Sequence, residues 1–127
     1  MSPDVVLLVE DNERNLKLAR AVLEHAGLEV RVATTGEDAV AQATSSPPDL
    51  VLMDLQLPGI DGHQALALLR GDSRTADVPV VALTAFAMQA DRQRALAEGF
   101  DGYLEKPISV TRFPSQVRSH LGRRVQP

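Results

Sequence analysis

The amino-acid sequence predicts an α/β fold, a doubly wound parallel sheet of five strands covered by helices on both faces. Three observations carry that expectation. Continuous apolar runs of strand length recur at residues 5–9, 50–53 and 78–83. Such runs belong to strands buried on both sides. Between them lie stretches whose apolar residues fall at helical spacing. The runs then end abruptly in polar or charged residues, as happens where a strand leaves the core at its carboxyl end.

In chain order, Val5-Val6-Leu7-Leu8-Val9 reads as the first strand and stops at Glu10-Asp11. From about Asn15 the period becomes helical, with Leu16, Ala19, Val22, Leu23 and Ala26 on one stripe and Gly27 placed to end it. Glu29-Val30-Arg31-Val32-Ala33 alternates, as a half-exposed edge strand should. Thr34 or Thr35 can cap the second helix, with Glu37 or Asp38 completing a capping box, and Ser45-Ser46-Pro47-Pro48 ends it. Leu50-Val51-Leu52-Met53 is a buried strand closed by Asp54. A loop with two turn signals, Pro58-Gly59 and Asp61-Gly62, leads to a helix from about His63 to Arg70. In the next buried strand Pro79 stands near the start, where a missing N–H is tolerable, and Thr84 ends the run. A helix from about Met88 to Glu98 reaches Gly99, and the short strand Gly102-Tyr103-Leu104 runs into Glu105-Lys106-Pro107. The last helix extends from Ser109 or Thr111 to Leu121; Pro114 favours the later start, because deeper in a helix it would remove a hydrogen bond.

At 127 residues the chain is sized for one domain with a real core, and we expect a single domain over residues 1–127 with no output domain. Tryptophan is absent and aromatics are 3%, so aliphatic residues and alanine must build that core. Without cysteine there are no disulfides, thiolate metal sites or cysteine nucleophiles. No signal peptide or membrane-spanning run is present, which points to a cytoplasmic protein that does not engage membranes. The net charge of −4 argues against nucleic acid as a partner, and Arg123-Arg124 read as a solvated end.

The polar residues at the strand ends form a set: Glu10 and Asp11, Asp54, Thr84 and Lys106. In open parallel sheets the carboxyl ends of the strands are where ligands bind. Clustered carboxylates repel one another, and at least one would have its pKa raised. A hard divalent cation relieves this, and Mg²⁺ prefers one or two carboxylates with water, carbonyls and phosphate oxygens. A lysine charge and a threonine hydroxyl then suit a phosphoryl group. Asp54 can itself be the nucleophile and become an aspartyl phosphate.

Along essentially its whole length the sequence resembles the receiver domain of two-component response regulators. The motifs are Val9-Glu10-Asp11-Asn12, Leu52-Met53-Asp54-Leu55 with Pro58-Gly59-Ile60-Asp61-Gly62, Thr84-Ala85, and Lys106-Pro107-Ile108. Finer likeness, in Asp11-Asn12-Glu13-Arg14-Asn15, Thr84-Ala85-Phe86-Ala87-Met88 and Lys106-Pro107-Ile108-Ser109-Val110, is to the DivK type of single-domain receiver. The resemblance implies a flavodoxin-like fold of strand order 2-1-3-4-5. It implies that Asp54 accepts a phosphoryl group from a phosphohistidine of a histidine kinase or a histidine phosphotransfer protein. It assigns Mg²⁺, with Mn²⁺ as a substitute, to Asp11, Asp54 and the Gln56 backbone carbonyl, with Glu10 acting directly or through water. Lys106 and Thr84 would contact phosphoryl oxygens, Tyr103 would be the switch aromatic, and Lys106-Pro107 would be a cis peptide. Signalling would pass to a downstream protein through the face of helix four, strand five and helix five. Such a protein catalyses its own phosphorylation and slow dephosphorylation and is not an enzyme in the ordinary sense. By the resemblance, Gln56 and Phe86 would flank the route of the hydrolytic water; Phe86, bulky and without a polar group, would either shield the site or simply pack at the start of helix four.

Rival readings fit less well. A haloacid-dehalogenase-like phosphatase wants a second aspartate two positions after the nucleophile, where this chain has Gln56. A dinucleotide site wants glycines that residues 9–15 lack. A partner-binding pseudo-receiver that is never phosphorylated, or a receiver fragment of a hybrid histidine kinase, are the alternatives within the family. His25, His63 and His120 read as surface residues, and Asn12 and Asp61 as loop-shaping ones.

Overall fold

In the computed structural model, which describes residues 3–85 and 89–121, five strands and five helices alternate. The strands are β1 (Val5–Val9), β2 (Glu29–Ala33), β3 (Leu50–Asp54), β4 (Val80–Thr84) and β5 (Gly102–Glu105). All neighbours pair in parallel, in the order β2-β1-β3-β4-β5. Between them run α1 (Glu13–His25), α2 (Gly36–Ser45), α3 (Gly62–Arg70), α4 (Gln89–Glu98) and α5 (Phe113–Arg118).

The continuous apolar runs make sense once each strand's two faces are followed. Leu7, Val9, Val51, Met53, Val80 and Ala82 face one way and pack with Ala39 and Ala43 of α2, Leu66 and Leu69 of α3 and Ala95 of α4. Val6, Leu8, Leu50, Leu52, Val81 and Leu83 face the other way and meet Ala19 and Leu23 of α1 and Phe113 and Val117 of α5. Side chains alternate across a strand, so a strand covered on both faces must be apolar at every position. β2, at the edge, keeps Glu29 exposed and Val30 buried, as its alternation predicts.

Helix ends differ from the expected ones for local reasons. α1 begins at Glu13, earlier than the apolar stripe suggests, because the Asn12 side chain caps it by accepting from Asn15 N at 3.0 Å. Thr35 caps α2 through Asp38 N, while the Asp38 carboxylate accepts from Gln42 instead of closing a box. The reciprocal box forms on α3, between Asp61 and Gln64. α5 starts at Phe113 with Pro114 in its first turn, where a proline costs no helical hydrogen bond, and Leu121 lies in a turn beyond its end. Pro79 falls just outside β4, though its carbonyl still accepts from Val51 N at 2.9 Å. Gly27 follows α1 with φ of 92°.

Candidate functional site

The sheet ladder sets the site. Bonds from Glu10 N to Ala33 O (3.0 Å), Leu55 N to Leu83 O (3.1 Å) and Lys106 N to Thr84 O (2.8 Å) carry the parallel pairing one residue beyond the strands. The backbones of Glu10, Leu55 and Lys106 are therefore fixed by the sheet, and Asp54 and Thr84 are themselves the last residues of β3 and β4. Every predicted polar group accordingly arrives at one rim.

Glu10, Asp54 and Thr84 are buried there, at 2%, 5% and 3% exposure, while Asp11 is exposed. A buried charge needs a partner. The Lys106 ammonium supplies it, lying 2.6 Å from Glu10 Oε1 and 2.9 Å from Asp54 Oδ2. The other Asp54 oxygen, Oδ1, accepts from Gln56 N at 2.9 Å, and Glu10 Oε2 accepts from Asn12 N at 3.2 Å. Burial, reinforced by Asp54, pushes the Glu10 carboxyl above its ordinary pKa despite the lysine. Burial works against the Lys106 ammonium too, but the two carboxylates outweigh it and raise its pKa.

Carboxylate oxygens of Glu10, Asp11 and Asp54 lie within 4.8 Å of one another, a spacing one cation can bridge. The donor set is all oxygen, which suits Mg²⁺ or Mn²⁺ and not a softer metal. Tyr103, on β5, is buried at 6% exposure and hydrogen-bonded to Thr84. Burial raises its pKa, and the bond to Thr84 works the other way. The Arg92 guanidinium of α4 stands 5.9 Å from the Tyr103 ring centroid, a contact the sequence did not signal. Lys106-Pro107 is cis.

A family model described as the response regulator receiver domain matches residues 6–118. The chain belongs to the receiver family. Signalling by phosphorylation is the general function of receivers, which interact with histidine kinases or phosphotransfer proteins. Among curated relatives, the polar-differentiation response regulator DivK of Brucella anthropi is 42% identical over 120 residues, covering 94% of this chain and 98% of that protein. DivK of Brucella ovis is 43% identical over 117 residues, 92% of this receiver and 95% of the relative. A putative response regulator from Chloroflexus aurantiacus superposes with a TM-score of 0.89 at 32% identity, covering 95% and 99% of the two chains. The receiver domain of a sensor histidine kinase from Pseudomonas aeruginosa, with a magnesium ion in its active-site cleft, does so with 0.87 at 35% identity, covering 94% and 98%.

Other predictions for the receiver resolve individually. Asn12 and Asp61 are helix caps, as expected of loop-shaping residues. His25 is exposed at the end of α1. His63 is half-buried, 2.6 Å from Glu98 through Nδ1 and edge-on to Phe100. His120 is not a plain surface residue, since it fills the space above Gly102. Phe86, Ala87, Met88 and Arg123-Arg124 lie outside the described residues. No helix among the described residues is long and apolar enough to cross a membrane.

Proposed function

We propose that Asp54 is the phosphoacceptor of a phosphorelay receiver, taking its phosphoryl group from a phosphohistidine on a kinase or phosphotransfer protein. The observation that carries this is the position of Asp54: buried at a strand end, touched by the half-buried Lys106 ammonium and within reach of two further carboxylates. In the transfer an Asp54 carboxylate oxygen attacks phosphorus, the P–N bond to imidazole breaks, and the departing nitrogen takes a proton. Glu10, Asp11, Asp54 and the Gln56 carbonyl would hold Mg²⁺, or Mn²⁺ in its place. When bound, the cation neutralises phosphoryl oxygens that would otherwise be repelled by this acidic rim.

Lys106 already contacts Asp54 and would follow its charge onto a phosphoryl oxygen. The Thr84 hydroxyl would donate to another, which draws on the same group that bonds Tyr103. Output would then leave through α4, β5 and α5, toward a protein target in the cytoplasm, from a unit that works as a single receiver. The test is incubation with acetyl phosphate and Mg²⁺ followed by mapping of the modified residue by mass spectrometry. One phosphoryl group on Asp54, absent in Asp54→Asn and absent in chelator, is the expected result. Unmodified protein, or modification elsewhere, would leave a receiver that only binds partners.

A further inference from the structure

We infer that Glu37, on the first turn of α2, is a positioning residue for the cation site, acting through the loop between β3 and α3. The inference rests on the reading of Glu10, Asp11, Asp54 and the Gln56 carbonyl as the Mg²⁺ ligands. A backbone carbonyl has no rotamers of its own, so Gln56 can present its oxygen only where its loop places it.

That loop is tied at both ends. Near β3, Leu55 N and Gln56 N bond Leu83 O and Asp54 Oδ1. Near α3, Gly62 N bonds Leu55 O at 3.2 Å and the Asp61–Gln64 box begins the helix. Between those ends, among the described residues, a single hydrogen bond ties the backbone of residues 57–60 to the rest of the chain. It runs from Ile60 N to Glu37 Oε2, long at 3.4 Å.

Packing shows that the contact is built rather than incidental. A Cβ on Gly59 would sit 2.6 and 2.8 Å from the two Glu37 carboxylate oxygens, and Gly59 has φ of +76°. Only glycine lets the loop take that backbone angle and lie this close to the carboxylate. Next door, Ile60 lies against Gly36, where a Cβ would meet Ile60 Cγ1 at 2.6 Å. The first turn of α2 thus holds Ile60 through the Glu37 carboxylate and through the Ile60 side chain against Gly36, with Gly59 lying close beside that carboxylate. Glu37 is exposed and, among the described residues, forms no ion pair, so the loop is what its carboxylate serves. Groups that orient metal ligands without touching the metal typically change affinity on removal.

The experiment is a Mg²⁺ titration of wild type, Glu37→Ala, Glu37→Gln and Asp11→Asn, paired with the melting temperature of each in chelator. Glu37→Ala should bind Mg²⁺ several-fold more weakly, toward the roughly tenfold lower end for such orienting groups. It should melt close to wild type in chelator, as expected for an exposed side chain. Glu37→Gln keeps an oxygen that can accept from Ile60 and should bind close to wild type. Equal losses in the alanine and glutamine variants would mean that charge, not the hold on the loop, attracts the cation, and would overturn the inference. Unchanged affinity in Glu37→Ala would overturn it as well, as would a matching loss of stability without metal. If Asp11→Asn bound Mg²⁺ as wild type does, the ligand assignment itself would fall, and the role of Glu37 with it.

Discussion

Lys106 stands between two carboxylates that the fold has withdrawn from water, and its removal would leave both facing each other. With Glu10 and Asp54 at 2% and 5% exposure, neither can be rescued by solvent without moving. Breaking one partner out of a buried pair typically costs about 3–5 kcal/mol. We therefore expect Lys106→Met to lose about 3 kcal/mol in urea denaturation with chelator present. Saturating Mg²⁺ should return part of that loss, because a cation bound only to the folded state stabilises it by mass action. A variant within about 1 kcal/mol of wild type in chelator would mean the two acids are not held as charges, contrary to the ion pairs seen here. Asp11 makes the contrast: it is exposed, so its substitution should leave metal-free stability nearly unchanged and remove the response to Mg²⁺.

At the scale of elements, the connection from β3 to α3 is crowded by backbone at Gly62. A Cβ on Gly62 would lie 2.7 Å from Asp54 O and 2.9 Å from Leu55 Cα, both backbone atoms that cannot swing aside. A Cβ on Gly71, at the other end of α3, would meet nothing closer than 3.4 Å, and Gly71 has φ of −81°. Gly62→Ala should therefore destabilise by about 1–3 kcal/mol, as overpacking does. Gly71→Ala should be neutral or gain up to about 1 kcal/mol by stiffening the unfolded chain. Thermal or urea unfolding of the pair decides it, and equal effects would sink the crowding account.

The elements were legible wherever one physical signal dominated. A strand covered on both faces has to be apolar throughout, so β1, β3 and β4 announced themselves, and the abrupt Asp54 marked where one of them surfaces. Helix ends were less legible, because a cap is a side-chain hydrogen bond and leaves no trace in the apolar period. Asn12 begins α1 before its stripe starts, and Pro114 sits in the first turn of an α5 shorter than its periodicity suggests. The acids, threonine and lysine of the site were readable because each ends its strand or comes within two residues of its end. Glu37 was not, since its partner Ile60 is 23 positions away and nothing local distinguishes it from any acid in the first turn of a helix. Arg92 over Tyr103 was hidden for the same reason.

Across the whole molecule, one set of contacts clamps the starts of β4 and β5 and another leads from the rim toward the surface. Arg70, at the end of α3, donates to Val78 O at 2.7 Å, Gly99 O at 3.0 Å and Asp101 Oδ2 at 2.8 Å. Asp101 also accepts from Val80 N at 2.8 Å. That clamp fixes the starts of β4 and β5 together, so the mobile link between site and surface is expected at their other ends. There the chain of contacts runs from Thr84 to Tyr103 by a hydrogen bond and from Tyr103 to Arg92 by ring and cation. Thr84 belongs to the site, whereas Arg92 and Tyr103 line a surface groove with Arg112 of the segment entering α5. If Thr84 responds to the phosphoryl group, Tyr103 is its first neighbour toward this groove, and a two-state shift there would be visible from outside. Tyr103→Phe keeps the ring under Arg92 and removes only the hydroxyl. We expect beryllofluoride with Mg²⁺, a mimic of the phosphorylated carboxylate, to move the backbone amide resonances of Arg92, Leu104 and Arg112 in wild type. In Tyr103→Phe those shifts should shrink to less than about half, while the residues around Asp54 still report that the mimic is bound. Shifts of full size at the groove in the phenylalanine variant would show that the signal travels by another route and that the Thr84–Tyr103 bond is only packing.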